Sequence, residues 1–485
     1  MINFKIIYKV IGSLLFIEAT MMLYCLCVSL YYKENDIMAF IITLAITILT
    51  AIGLKYKGYH AENSMGRRDA YLLVTLTWII FSIFGALPFV ISGYIPNFTD
   101  AFFETMSGFT TTGATIIDDV ESLPHGLIFW RSMTHWIGGL GIVFFTIAIL
   151  PSLVGGSMKV FSAEATGPIR TKMHPRLSTN AKAVWAVYLL LTVGCAASFY
   201  VAGMDIFDCL NYSMSITATG GFATHNASAG YFHSAAIDYI AIIFMFLSGT
   251  NFTLLYLTMF KGKVKSFIKD AELKFYFCVV ALATAGIMFF LIKDLNYNLA
   301  DSLRYALFQV VSFITTTGIF NTDAGKWPHI TWVILSICMF IGACAGSTSG
   351  GFKCIRGVIL LKIIKNEFKH IIHPKAILPV KISNNSVPYQ AQATLLVFMS
   401  LYFAVCLFAY FSLTCMGIDS TNSITIALSC ASNVGPTLGL EIGPTMSWSG
   451  IPDIGKWICS ILMLMGRLEF FSVLVLFTPA FWKEN

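Results

Sequence analysis

Charge is scarce in this sequence. Only 12% of its 485 residues are Asp, Glu, Lys or Arg, against 57% hydrophobic residues and a mean hydropathy of +0.76. Soluble domains carry about a quarter charged residues. So little charge cannot cover so large an apolar content in water, which excludes a soluble enzyme or a nucleic-acid binder and points to an integral membrane protein. Long polar stretches are also missing. Those near 155–182 and 362–390 are loop-sized, leaving no room for a separate soluble domain. A cleavage site is missing after the first apolar run (Val10 to Leu30), which therefore reads as a retained helix rather than a signal peptide. Metal-ligand spacing is missing too. The twelve cysteines lie mostly inside apolar runs with no CxxC or CxxH pattern, as small apolar filler does. Asn-x-Ser/Thr triplets at Asn97, Asn211, Asn226 and Asn251 carry no weight as glycosylation signals.

What the sequence does have is apolar runs of membrane-spanning length. They fall near 10–30, 37–54, 71–95, 128–150, 183–203, 235–260, 275–293, 330–363, 391–415 and 455–480, ten in all. Every second connection is basic. Lys55, Lys57, Arg67 and Arg68 follow the second run; Lys159, Arg170, Lys172, Arg176 and Lys182 the fourth; Lys261, Lys263, Lys265 and Lys269 the sixth; and Lys362, Lys365, Lys369, Lys375 and Lys381 the eighth. The alternate connections are acidic, with Asp100, Glu104, Asp118, Asp119 and Glu121, then Asp205 and Asp208, then Asp294, Asp301 and Asp323, then Asp419, Glu441 and Asp453. The positive-inside rule places the basic connections and both termini in the cytoplasm. The acidic connections then face outward, where they attract cations.

Each outward connection carries a related stretch: "FFETMSGFTTTGAT", "NYSMSITATGGFAT", "LFQVVSFITTTGIF" and "ALSCASNVGPTLG". Each is a moderately apolar segment of about ten residues, then hydroxyl or amide residues, then a glycine (Gly113, Gly220, Gly318, Gly435). The glycines recur at spacings of 107, 98 and 117 residues. A single copy reads as an ordinary polar bend. Four copies at matching topological positions read as an array of equivalent units. The predicted fold is an all-α membrane protein with ten transmembrane helices. Two extra helices (1–66) precede four pseudo-symmetric repeats of helix, re-entrant pore loop and helix (67–170, 171–270, 271–385, 386–485).

The short apolar segments cannot cross a bilayer and suit re-entrant helices. Such helices end in irregular backbone at membrane depth, tolerated where it is buried in protein or lines a watery cavity. Helix C-termini carry partial negative charge, so four of them aimed at one axis favour a cation. Carbonyls around the glycines can replace the water shell of a weakly hydrated ion. The candidate cation-binding residues are Thr111, Thr112 and Gly113; Thr219, Gly220 and Gly221; Thr317, Gly318 and Ile319; and Asn433, Val434, Gly435 and Pro436. None is charged, so dipoles alone would hold the ion and release it quickly.

With these stretches, "RSMTHWIGGLGIVFF" (131–145), "FSAEATGP" (161–168), "GACAGSTSGGFK" (342–353) and "GRLEFF" (466–471), the chain resembles the Trk/Ktr/HKT superfamily of potassium transporters over its whole length. The two leading helices match its TrkH type. The resemblance implies potassium uptake across a bacterial cytoplasmic (inner) membrane and a homodimer with one pore per subunit. It also implies a cytosolic nucleotide-binding partner of the TrkA type, and no cofactor beyond the transported potassium ion. Relatives with serine at the first filter glycine admit sodium, so Gly113 favours potassium. Each unit has one filter glycine, against two in the potassium-channel loop, which implies looser selectivity. "SNVGP" departs most from the other three stretches.

Two features lie outside the repeats. The eighth run contains "GACAGSTSGG" (342–351), and glycine costs about 1 kcal/mol per site in a helix, so a break is expected there. The residues Gly346, Ser347, Thr348, Ser349, Gly350 and Gly351 look like a gate below the filter, with close small-residue helix packing as the alternative. Gly346 and Gly351 have phosphate-loop spacing, but Phe352 stands where lysine is required. Arg467 falls mid-span and is the second gate candidate. At about 6 Å from an ion and an effective dielectric of about 20, it would repel a cation by about 3 kcal/mol. A structural ion pair is the alternative; Glu469, two residues on, faces elsewhere on a helix. A symporter coupled to protons or sodium competes with the channel-like reading. A membrane-embedded enzyme would need a carboxylate pair, a His cluster or a Ser-Lys dyad, and His135 has no evident partner for one.

Overall fold

The computed structural model describes residues 2–61, 65–141, 177–382, 385–439 and 442–483. "FSAEATGP", the second half of the predicted fourth span and the basic residues Lys159, Arg170, Lys172 and Arg176 lie outside them. The described chain is mostly helical; its one strand pair is a hairpin joining Lys381–Ile382 to Asn385–Ser386.

Six described helices are long and apolar enough to cross a membrane: Phe4–Tyr32, Ile37–Lys57, Arg67–Ser92, Ala181–Val201, Ala271–Leu295 and Tyr389–Cys415. The protein is a multi-pass membrane protein. Its first helix starts on Asn3, whose side chain accepts the Ile6 N–H at 3.3 Å. That helix packs along the second through Gly12, where a Cβ would stand 2.8 Å from the Ala51 carbonyl oxygen. The predicted spans near 235–260 and 455–480 are not straight. Ala235–Ser248 meets Phe252–Met259 at 104°, and Asp453–Arg467 meets Phe471–Phe477 at 111°. Each bend has a local cause. Asn251 caps a new helix by accepting the Thr253 N–H at 2.9 Å, and Glu469 and Phe470 both take left-handed backbone. The predicted eighth span is broken as its glycines imply, into His329–Ile341 and Cys354–Ile372.

Between long helices lie four short ones: Phe98–Phe109, Ile206–Ala218, Leu299–Ile314 and Ser420–Ser432. At 1.5 Å per residue they reach about 18–24 Å, less than the hydrocarbon thickness of about 30 Å. Each begins on the same chemistry: Asn97, Asp205, Asn298 and Asp419 accept the N–H of Thr99, Phe207, Asp301 and Thr421 at 2.9, 3.0, 2.7 and 2.9 Å. These caps satisfy donors that a helix start leaves open. The C-terminal halves of all four helices are buried.

Candidate ion-binding site

The four short helices also end alike. The N–H of Thr112, Gly220, Thr317 and Val434 returns to the carbonyl of Ser107, Ser215, Ser312 and Ser429 at 2.9, 2.9, 2.9 and 3.0 Å. The residue before each of these (Thr111, Thr219, Thr316, Asn433) bonds three residues back and is left-handed, with φ of 54°, 55°, 56° and 55°. This is the Schellman termination, which usually places glycine at the left-handed position. Three threonines and an asparagine occupy it here.

The next positive-φ residue in each chain is a glycine: Gly113, Gly221, Gly318 and Gly435, at 80°, 95°, 78° and 96°. The repeat therefore runs through Gly221, and Gly220 is the equivalent of Thr112. A sequence alignment on the first glycine of "TGGF" is offset by one. The sign of φ alternates along each triplet, because the middle residue is negative, and that alternation turns successive carbonyls to one side of the strand. The four strands close on one another. A Cβ on Gly113 would collide with the Gly220 carbonyl oxygen, on Gly221 with that of Thr317, on Gly318 with that of Val434, and on Gly435 with that of Thr112. The order is cyclic, one to two to three to four and back to one, so the strands form a ring. Only residues without a Cβ fit at its contact points.

Serine side chains brace the ring. Ser215 and Ser429 accept the N–H of Gly221 and Gly435, both at 3.0 Å, and Ser312 donates to the Ile319 carbonyl at 2.5 Å. Asn433 donates to Thr112 Oγ1 at 2.9 Å, tying the fourth strand to the first. The middle residues and Ile319 are buried, and Pro436 packs its ring toward Gly318. A cavity of about 100 Å³ opens beside the ring, lined by all four positive-φ glycines together with Asp118, Arg131 and His225.

Two charges outside the candidate residues hold this side of the ring. Arg131 Nε donates to Glu104 Oε1 at 2.9 Å, with both side chains buried. The same guanidinium reaches Thr115 Oγ1 at 3.2 Å and the Ala223 carbonyl at 3.3 Å, and lies over the Phe222 ring. Glu104 also accepts the Ile116 N–H at 2.9 Å. One buried pair thus fixes the chain leaving the first strand and the chain leaving the second. His135 stacks on Phe222 at 4.1 Å and stands 3.5 Å from Ser215 Oγ, so it packs the second strand. In the sequence, Arg131 stands out only through the likeness of its stretch, and Glu104 reads as part of an acidic loop; the helical spacing of neither announces the other.

On the opposite side, the break between His329–Ile341 and Cys354–Ile372 lies against the ends of the short helices. Its neck is stitched: Cys354 N–H bonds the Ala343 carbonyl at 2.9 Å, and Glu272 Oε1 accepts the N–H groups of Ala345 and Ile355 at 2.6 and 3.0 Å. Its tip, Gly346 to Gly351, reaches inward. Thr348 donates to the Thr217 carbonyl at 3.0 Å, and Gly350 N–H donates to Thr316 Oγ1 at 2.7 Å. A Cβ on Gly350 would strike the Ser432 carbonyl. The tip therefore touches the second, third and fourth short helices. Ser347 bonds Ser349 at 2.8 Å, and Lys353 turns its ammonium onto the Ser349 carbonyl.

Arg467 joins this assembly. It donates to the carbonyls of Thr348 at 2.8 Å and of Gly138 and Gly139, both at 2.6 Å. Arg467 is half-buried, while Glu18, Glu104, Arg131, Glu272, Lys353 and Arg356 are buried. Glu469 lies past the end of the Arg467 helix, in left-handed backbone, and pairs with Arg356 at 2.6 Å. Among the described residues no group of three or more His, Cys, Asp or Glu could hold a metal ion.

Comparison with known proteins points the same way. A family model described as "TrkH: Cation transport protein" matches residues 36–484. The Trk system potassium uptake protein TrkH of Halomonas elongata is 36% identical over 99% of this chain and all of its own. TrkG of Escherichia coli is 35% identical over 99% of both chains. The crystal structure of the potassium transporter TrkH from Vibrio parahaemolyticus superposes with a TM-score of 0.88 at 35% identity, covering 99% of this chain and 100% of that one.

Proposed function

This chain belongs to the TrkH family of cation transport proteins, and from that premise we propose that it carries potassium into the cell through the ring of glycine-flanked strands. The observation that carries this reading is the cyclic packing of Gly113, Gly221, Gly318 and Gly435 on one another's neighbouring carbonyls. Backbone oxygens brought together in this way replace the hydration shell of a weakly hydrated monovalent ion. The relatives named as potassium uptake proteins support potassium as that ion.

In this reading the short helices are re-entrant, and their C-terminal dipoles face the ion. The ten spans are the six straight helices, the two bent pairs, the broken pair His329–Ile341 and Cys354–Ile372, and the span beginning at His125–Gly139. The tip Gly346–Gly351 and Arg467 form the gate. The loop sits across the ends of three short helices, and Arg467 fastens it to the carbonyls of Gly138 and Gly139. Transport is channel-like, down the membrane potential, in the cytoplasmic membrane with both termini inside. A homodimer and a cytosolic nucleotide-binding partner of the TrkA type complete the system, since the relatives are named as members of a Trk system.

The test is uptake by the purified chain in liposomes under an inside-negative potential. Potassium entering ahead of sodium supports the proposal; equal entry of both, or none, overturns it. Symport with protons is the second reading, and a reversal potential that moves with pH at fixed potassium would favour it.

A further inference from the structure

The left-handed residue that ends each short helix has its own side-chain arrangement. Thr219 turns its hydroxyl back to its neighbour, donating to the Ala218 carbonyl at 2.7 Å. Asn433 reaches Thr112 Oγ1 at 2.9 Å and the Met463 carbonyl at 2.8 Å. Thr316 alone of the four bonds to the gate tip among the described contacts, accepting Gly350 N–H at 2.7 Å. Its own backbone is left-handed at 56°, and the next residue is Thr317, whose carbonyl closes the ring against Gly221.

Resting on the reading above, we propose that Thr316 is a positioning residue that couples the gate to the selectivity ring. The Gly350–Thr316 hydrogen bond holds the third strand in its potassium-selective geometry. A left-handed threonine is a strained conformation for a residue with a branched Cβ. It persists when surrounding contacts fix it, and the Gly350 N–H is one such contact. Withdrawing the tip removes that contact from the residue that aims the Thr317 carbonyl. Gate position and ring geometry therefore share one free energy. By reciprocity, an ion that prefers the ordered ring also favours the docked loop. The coupling is local to one strand of four, so opening relaxes selectivity without abolishing it.

The experiment compares resting flux and the potassium-to-sodium uptake ratio in liposomes for the unaltered chain and for Thr316→Val and Thr316→Ser. Valine keeps the shape and removes the acceptor. Loss of one neutral hydrogen bond, worth about 0.5–1.5 kcal/mol, sets the expected scale at about two- to tenfold. Thr316→Val should raise resting flux and lower the ratio together by factors in that range. Thr316→Ser should restore both. Higher flux at an unchanged ratio reduces the contact to a latch and overturns the proposal. A lower ratio at unchanged flux reduces Thr316 to a part of the ring and overturns it equally, as does no change in either. Deleting residues 346–350 tests the same link without altering the ring: the ratio should fall although every strand residue is intact, and an unaltered ratio overturns the coupling. Both readouts are taken relative to the unaltered chain. If that chain itself prefers no ion, it is the proposed function that fails instead.

Discussion

Arg467 donates to the carbonyl oxygen of Thr348 at 2.8 Å, from a helix more than a hundred residues away in the chain. The same guanidinium holds the carbonyls of Gly138 and Gly139. The tip of the broken span and a neighbouring helix end are thus joined by one side chain that offers five donors in a fixed fork.

Removing that fork should release the tip. Hydrogen bonds to a charged donor are worth about 1.5–3 kcal/mol each, so Arg467→Ala should raise ungated potassium flux about tenfold or more. Arg467→Lys should raise it less, because an ammonium keeps the charge but cannot span three carbonyls. Flux in liposomes and thermal stability in detergent separate the outcomes. A large loss of stability with no added flux would show Arg467 to be a structural strut.

Gly113→Ser and Gly221→Ala should both weaken the preference for potassium over sodium. Each residue has φ in the left-handed region, which costs an ordinary residue about 1–2 kcal/mol, enough to shift the preference about tenfold. Each added Cβ also meets a carbonyl of the ring. Gly220→Ala makes a useful contrast, since its Cβ would press on the His135 ring instead of a carbonyl. Relative permeability measured across the three variants checks the register. Equal effects at Gly220 and Gly221 would remove the distinction between them.

That register shows where the sequence stopped being legible. Four polar, glycine-bearing stretches at matching positions announced the ring, because their composition is foreign to an apolar chain. Which of two adjacent glycines faces the next strand depends on the sign of φ, and "TGGF" is silent on that. Thr316 fell outside the candidate residues for the same reason. The break at 342–353 was legible from glycine density. The bends after Ser248 and Arg467 were not, since a single Asn cap and two left-handed non-glycine residues leave no such trace. Arg467 stood out as a charge in an apolar run, but its partners are backbone carbonyls, which every residue carries.

The buried pair of Glu104 and Arg131 should be indispensable to the folded state. Removing one partner of a buried pair costs about 3–5 kcal/mol, because the other is left uncompensated. Glu104→Gln is therefore expected to lower the thermal midpoint sharply, and Arg131→Met to do the same. Detergent thermal shifts close to those of the unaltered protein would mean that water reaches the pair.

His225, at the outer edge of the cavity, should make stability depend on pH. Burial draws it toward the neutral form, but the hydrogen bond and charge of Asp208, with the charge of Glu121, outweigh that and raise it above 6.5. Its nitrogens lie 3.2 Å from Asp208 and 3.4 Å from Glu121. A group raised on folding contributes fully below its unfolded pKa, and the contribution is lost as pH rises through the folded one. Thermal stability of the unaltered chain should fall as pH rises from 6.5, and His225→Gln should flatten that slope. An identical slope in the variant would place the titration elsewhere.

Whether a ring of backbone carbonyls selects potassium is decided most directly by competition for tracer uptake. Potassium-loaded liposomes holding the purified chain draw in radioactive rubidium, a potassium analogue, down the potential set by their own gradient. External potassium should suppress this uptake at concentrations where sodium leaves it nearly intact. Equal suppression by the two ions would mean that the ring does not select between them.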